Sequence, residues 1–190
     1  MLKISLNRLL NEGIKKRTFF ITFLLVLFFG GFGISGCSTS DKLAVDQGMR
    51  ISLIGNNLGA RMMHYGFFET EVHLKFPDSL LVFRNLCDGG NTPGFRPHSG
   101  RNEPWAFPGA AQFQSDLAQK SGSEGHFETP DQWLDRLDTD LIIGFFGFNE
   151  SFEDSSGLAL FMDELHAFIT HTQAQKYNGH KAPSLVLVSP

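Results

Sequence analysis

The chain has 190 residues, of which 42% are hydrophobic, and this composition suits one globular domain rather than a disordered or collagen-like chain. Residues 1–36 carry five of the 16 basic residues and one of the 20 acidic residues, which leaves 11 bases and 19 acids, a net charge of −8, for residues 37–190. Such an acidic body repels phosphate backbones and argues against nucleic-acid binding. Two cysteines, Cys37 and Cys87, are too few for a disulfide framework or a zinc cluster.

The first 36 residues have the pattern of a lipoprotein signal peptide. Lys15-Lys16-Arg17 precede an apolar run from Phe19 to Phe29, which is shorter than the roughly 20 apolar residues of a membrane-spanning helix. Ile34-Ser35-Gly36-Cys37 resembles the bacterial lipobox, in which the cysteine becomes the lipidated first residue of the mature protein. We therefore expect export to the bacterial cell envelope, a membrane anchor through a lipid on Cys37, and a tether over 37–48. An ordinary signal peptide is the alternative.

The mature part of the chain alternates strand and helix patterns. Strands are predicted over Arg50–Ile54, Leu80–Phe83, Leu141–Phe146 and Ser184–Ser189. Helices are predicted along an apolar stripe from Leu58 to Phe76, over Gly109–Gln119, from a start at Thr129-Pro130-Asp131-Gln132, and after a cap at Ser156. Strands separated by helices imply right-handed crossovers. The predicted fold class for 49–190 is therefore α/β, a three-layer α/β/α arrangement around a parallel, flavodoxin-like sheet.

Ligands of such sheets bind at the carboxyl ends of the strands, so the turns after the first three strands are the segments of interest. They hold Gly55-Asn56-Asn57-Leu58, then Asn85 five residues before Gly90-Asn91-Thr92, and then Gly147-Phe148-Asn149-Glu150. Together these turns resemble the three sequence blocks of the SGNH (GDSL-type) hydrolase superfamily. The resemblance spans about residues 49–190 and implies the SGNH hydrolase fold.

The resemblance also implies roles for single residues. In that family the serine of the first block attacks an ester carbonyl, and Asn57 stands at its position. The glycine N–H of the second block and the asparagine side chain of the third stabilise the oxyanion, which makes Gly90 and Asn149 the corresponding donors. The family's last block, Asp-x-x-His, does not occur after Asn149, so we expect a domain that is truncated before it. A narrower resemblance is to the SGNH-like N-terminal domains of large exported haem-binding bacterial proteins.

Further candidates lie in the long Gly/Pro-rich loop that follows the second strand. Arg96, His98 and Arg101 are candidates for contacts with an anionic or hydroxylated substrate. Trp105, Phe107 and Trp133 are predicted to anchor the core or the loop, with a sugar-stacking platform as the alternative. Cys87 is expected to be a buried free thiol. The seven histidines are scattered, so no metal or other cofactor is expected.

Two functions follow from the resemblance. The first is an exported SGNH-type hydrolase that acts on ester bonds of an acylated carbohydrate, another glycan ester or a similar small molecule. The alternative is a degenerate, non-catalytic SGNH domain that serves as a ligand-binding or scaffold module of a larger protein. Asn57 favours the alternative, whereas Gly90 and Asn149 favour the hydrolase. A flavodoxin-like nucleotide binder is a distant third, because the first turn has no glycine cluster to hold a phosphate.

Overall fold

The structure is a computed structural model, and it describes residues 43–114, 116 and 127–189. The predicted signal peptide, Cys37 and most of the predicted tether lie outside these residues. Among the residues that are described, no helix is long and apolar enough to cross a membrane.

Within the described ranges, four strands form one parallel sheet, which confirms the predicted α/β class. They are β1 (Arg50–Gly55), β2 (Val82–Asn85), β3 (Leu141–Phe145) and β4 (Ser184–Val188), and their order across the sheet is β2-β1-β3-β4. The last residue of β1 is opposite the last residue of β3, and β2 ends two residues earlier in register, opposite Leu53. The turns that follow these three strands therefore emerge at one edge of the sheet.

Helices flank the sheet, as a three-layer arrangement requires. They are α1 (Asn57–Met62), α2 (Phe67–Lys75), α3 (Pro130–Arg136) and α4 (Asp154–Ala174), with short 3-10 helices at Ala110–Phe113 and Glu150–Glu153. One core cluster joins Leu53 and Ile143 to α1 and α2 residues such as Met62 and Val72. The other joins Ile142 to Leu134 of α3 and Phe168 of α4. Neighbouring residues of a strand point to opposite faces, so Ile142 and Ile143 contribute to different clusters.

The apolar stripe from Leu58 to Phe76 predicts one helix, and the structure has two instead. The break contains Gly66, a poor helix former, and beside it the rings of Tyr65 and Phe67 stack with centroids 6.2 Å apart. Tyr65 and Phe67 are exposed, and α2 has no buried residue. The stripe therefore does not face the core along its whole length, and packing does not hold the segment straight.

Two predicted helix starts have different outcomes. At α3, Thr129 and Gln132 form the predicted reciprocal capping box, with Pro130 in the first turn. At α4, Ser156 is not the cap, because the helix begins at Asp154 and the Ser156 hydroxyl donates back to the Glu153 carbonyl at 2.8 Å. Of the predicted helix Gly109–Gln119, the structure shows the 3-10 turn Ala110–Phe113, and residues 115 and 117–119 lie outside the described part.

Candidate functional site

The first turn of the site connects β1 directly to α1. Gly55 has φ +122°, and a Cβ built on it would overlap the Phe145 carbonyl. Glycine is therefore required where the end of β1 lies beside the end of β3. The Asn56 N–H donates to the Phe145 carbonyl oxygen at 2.9 Å. Asn57, which the resemblance predicts at the nucleophile position, is then the first residue of α1 and is exposed.

The second turn folds against the first. The Asp88 N–H and the Asn91 Nδ2 both donate to the Gly55 carbonyl oxygen, at 2.9 and 3.1 Å. A Cβ built on Gly89 would lie 2.9 Å from Asn57 Oδ1, which places this turn beside the Asn57 side chain. Gly90 has φ +84° and is exposed, and its N–H makes no hydrogen bond within the described residues. That N–H is therefore available to a ligand.

The third turn joins the other two through Asn149. Its Nδ2 donates to the Asn91 carbonyl oxygen at 3.1 Å, so one of its two amide hydrogens is engaged and the second is available. The Gly147 N–H donates to Glu150 Oε2 at 2.9 Å, which ties the turn to the following 3-10 helix. Burial raises the pKa of the Glu150 carboxyl, and Glu150 Oε1 is buried without a hydrogen-bond partner. The residues predicted from the three blocks thus converge at one edge of the sheet.

A cavity of about 480 Å³ opens beside Asn57. Its walls are mostly apolar, and the residues that form them come from the ends of β1, β3 and β4 and from α1: Asn56, Asn57, Leu58, Arg61, Phe145, Phe146, Phe148 and Val188. We call this the ester cavity. Its size and apolar walls suit a small acyl group and part of the molecule that carries it.

A second cavity, of about 380 Å³, lies between the second turn and the long loop. It brings together the three residues predicted for substrate contacts, Arg96, His98 and Arg101. Both arginines are buried, whereas His98 is exposed and stacks on the Phe127 ring with centroids 3.9 Å apart. We call this the arginine cavity.

Trp105, Phe107 and Trp133, predicted to anchor the core or loop or to form a sugar-stacking platform, have different surroundings. Phe107 is buried in the core, and Trp105 packs against Phe95 with ring centroids 5.2 Å apart. Trp133 stacks on Phe127 with ring centroids 4.6 Å apart and lines the arginine cavity. Only Trp133, of these three, is therefore placed to contact a ligand there.

Sequence reasoning missed the part that Glu164 plays in holding the site. This carboxylate is 1% exposed, and its Oε1 accepts hydrogen bonds from Thr92 Oγ1 at 2.8 Å and from the Gly94 N–H at 3.0 Å. It thus connects α4 to the loop that leaves the second turn. A signal was present, since Glu164 lies between Phe161 and Phe168 at helical spacing and so faces the core.

Cys87 is buried and free, as predicted, and burial raises the pKa of its thiol to about 12. Such a thiol is protonated at neutral pH and is a poor nucleophile. Ser52 is also buried, and its hydroxyl is hydrogen-bonded to Thr139 at 2.8 Å. Neither buried group is a candidate for the nucleophile that the resemblance predicts at position 57.

The converging turns offer hydrogen-bond donors, but Asn57 supplies no attacking hydroxyl. The amide of Asn57 has no usable lone pair on nitrogen for acyl transfer, and no histidine lines the ester cavity within the described residues. In the same part of the chain, no group of three or more His, Cys, Asp or Glu side chains could hold a metal ion. No protein-family model matches the chain, and no curated protein or solved structure gives a significant match.

Proposed function

We propose that the chain is an exported, lipid-anchored SGNH-type domain that binds an ester-bearing ligand, an acylated carbohydrate or a similar molecule. The observation that carries this proposal is the meeting of the three turns at the carboxyl edge of the sheet. Asn57 lies beside Gly89, and Asn149 donates to Asn91, so the positions of the three family blocks are in mutual contact. These segments are far apart in the sequence.

Three hydrogen-bond donors of the converging turns suit an ester carbonyl. The Gly90 N–H and the second amide hydrogen of Asn149 have no partner among the described residues. The first hydrogen bond of α1 runs from the Ala60 N–H to the Asn56 carbonyl, which leaves the Asn57 N–H without an intrahelical partner. Preorganised donors of this kind hold a carbonyl oxygen and stabilise negative charge on it.

Ester hydrolysis is the second candidate function. Gly90 and Asn149 favour it, because such donors contribute most when charge develops on the oxygen. Asn57 opposes it, since hydrolysis by this route needs a hydroxyl nucleophile and a general base. Binding without hydrolysis is therefore the function that the described residues support best.

The test of binding compares 6-O-acetylglucose with glucose by ligand-observed NMR. The unmodified chain should bind the acetylated sugar more tightly than glucose. Asn149→Ala should weaken that binding about fivefold, the effect of one hydrogen bond of about 1 kcal/mol. Asn102→Ala is the matched control, because Asn102 is exposed and lines neither cavity. Equal binding of the acetylated sugar by the Asn149→Ala variant and the control would count against the proposed site.

The same proteins distinguish the two candidate functions when they are given p-nitrophenyl acetate. We expect the unmodified chain to hydrolyse it at the background rate, because Asn57 supplies no hydroxyl. Turnover by the unmodified chain that falls about 100-fold in Asn149→Ala would instead establish the hydrolase. Asn57→Ser restores the hydroxyl, and a rate increase in that variant alone would show that a base is in reach of residue 57.

A further inference from the structure

The arginine cavity contains a buried positive charge that no carboxylate of the described residues neutralises by direct contact. Arg96 is 5% exposed, its Nη2 donates to the Pro93 carbonyl at 3.1 Å, and its guanidinium lies 5.0 Å from the centre of the Phe168 ring. Its Nε is buried and has no hydrogen-bond partner. None of the ion pairs within the described residues involves Arg96. A buried charge with an unused donor is costly, and a ligand anion would offset that cost.

The acids nearest to Arg96 have other hydrogen-bond partners, and Asp131 and Glu164 act on Arg96 through their charges without direct contact. Glu164 accepts from Thr92 and Gly94, and Asp131 accepts from His171 Nε2 at 2.6 Å and from the Tyr177 hydroxyl at 2.7 Å. Asp88 also lines the cavity, but it is exposed and accepts from the Gly89 N–H. Burial lowers the pKa of Arg96 to about 10, so the guanidinium remains charged at neutral pH.

A second guanidinium stands beside the first. Arg101 is 8% exposed, its Nε donates to the Glu128 carbonyl at 2.7 Å, and its Nη1 donates to the Arg96 carbonyl at 2.6 Å. These contacts with backbone carbonyls position both arginines on the long loop before any ligand arrives. Two like charges in one cavity repel each other, and an anion between them relieves that repulsion.

The other walls of the cavity favour a hydroxylated ring. Asn91 is 2% exposed, lines the cavity and has a buried Oδ1 without a hydrogen-bond partner, so it is an unused acceptor for a hydroxyl group. Trp133 supplies an aromatic surface in the same cavity, whereas the Phe127 ring already stacks on both His98 and Trp133. Sugar rings stack on such faces while their hydroxyls hydrogen-bond at the edges.

We propose that the arginine cavity binds a sugar that carries an oxyanion group, a carboxylate or a sulfate. The Arg96 guanidinium attracts the oxyanion, a ligand hydroxyl that reaches Asn91 Oδ1 satisfies that buried acceptor, and Trp133 contacts the ring. The inference rests on the proposed function, because it assigns the two cavities to one ligand. The turn that contains Asp88 and Asn91 lines the arginine cavity and also lies beside Asn57. The ligand class is then an acylated acidic carbohydrate, with its acyl group beside Asn57 and its acidic sugar beside Arg96.

Tryptophan fluorescence tests the proposal on the full chain, which has two tryptophans, one of them Trp133. The protein is titrated with glucuronate, glucose 6-sulfate and glucose. We expect at least one of the two anionic sugars to bind tenfold or more tightly than glucose, and the stronger of them identifies the preferred oxyanion. Glucose that binds as tightly as both anionic sugars would overturn the proposal, and so would the absence of any binding.

Variants assign the effect to Arg96. Arg96→Leu should weaken binding of the anionic sugar tenfold or more, and Arg96→Lys should retain part of the affinity. The control Arg84→Gln should bind as the unmodified chain does, because Arg84 is exposed on β2. A folded Arg96→Leu protein, verified by its melting curve, that keeps full affinity overturns the assignment. If Arg96→Leu does not fold, the comparison of the three sugars on the unmodified chain still decides. The Asn149→Ala protein separates the two proposals. If it loses acetylglucose binding and keeps glucuronate binding, the substitution has changed the ester cavity and left the arginine cavity intact.

Discussion

Glu164 shows how one buried side chain holds the long loop that follows β2. The protein interior penalises its charged form, whereas the hydrogen bonds from Thr92 and Gly94 and the charge of Arg96 favour that form. Burial is the larger influence, so the pKa of the Glu164 carboxyl is raised above its ordinary value of 4.5. The folded protein therefore binds a proton at this residue more readily than the unfolded chain does.

This asymmetry predicts a pH dependence of stability. The contribution of Glu164 to the free energy of unfolding is fully present below about pH 4.5 and is lost as the pH rises through its folded-state pKa. Glu164→Gln removes the titration and keeps an oxygen for Thr92 and Gly94. The free energy of unfolding of the unmodified protein minus that of the variant, measured with urea from pH 4 to pH 8, should decrease with pH. Glu103→Gln, at an exposed site, is the control. If the difference in free energy of unfolding is independent of pH for both variants, the prediction is wrong.

At the scale of elements, the close approach of α1 to the sheet positions Asn57. Gly59 is buried on α1, and a Cβ built on it would overlap Cys87 Sγ and lie 2.9 Å from Phe145 Cδ2. The Asn85 Nδ2 donates to the Gly59 carbonyl at 2.8 Å and fixes the helix from the β2 side. Only a residue without a side chain allows this packing.

Gly59→Ala should therefore destabilise the fold. We expect a loss of about 2 kcal/mol in the free energy of unfolding, because overpacking outweighs the gain of about 1 kcal/mol in helix propensity. Gly66→Ala is the matched control, since its φ is −71° and a Cβ there has no neighbour closer than 3.9 Å. That variant should be unchanged or more stable by up to about 1 kcal/mol. Urea unfolding measures both, and equal stabilities of the two variants would show that α1 can move away from the sheet.

At the scale of the whole molecule, the uneven distribution of charge along the chain is the observation behind the proposed export. Residues 1–36 carry four net positive charges, whereas residues 37–190 carry eight net negative charges. A basic region before an apolar run is the pattern of export signals. We propose a lipid at Cys37 as the attachment of the chain to a membrane.

Substitution at Cys37 tests this anchor. In a bacterial host, Cys37→Ser should abolish labelling by a radioactive fatty acid and should leave a soluble protein or an unprocessed precursor. Cys87→Ser is the control, because Cys87 is buried in the domain and its replacement should leave labelling intact. Unchanged labelling and membrane fractionation of the Cys37→Ser protein would remove the lipoprotein proposal.

The sequence by itself determined the strands, the parallel sheet and the capping box at Thr129, because these depend on local periodicity and on residues a few positions apart. The apolar run Leu141–Phe146 predicted β3 for this reason, since a central parallel strand is covered on both faces. The resemblance to the SGNH blocks also pointed to Gly90 and Asn149, although it could not show that Asn149 donates to Asn91.

Only the tertiary structure decided how α1 and α2 divide, which charges are buried and which turns touch. Arginine is usually a surface residue, yet the loop places the Arg96 guanidinium over the Phe168 ring and leaves Arg96 Nε without a hydrogen-bond partner. Glu164 and Thr92 are 72 residues apart and meet only when α4 packs against the loop. The physical reason is that desolvation and hydrogen bonding depend on every neighbour in space, whereas the local sequence pattern reports only the residues next along the chain.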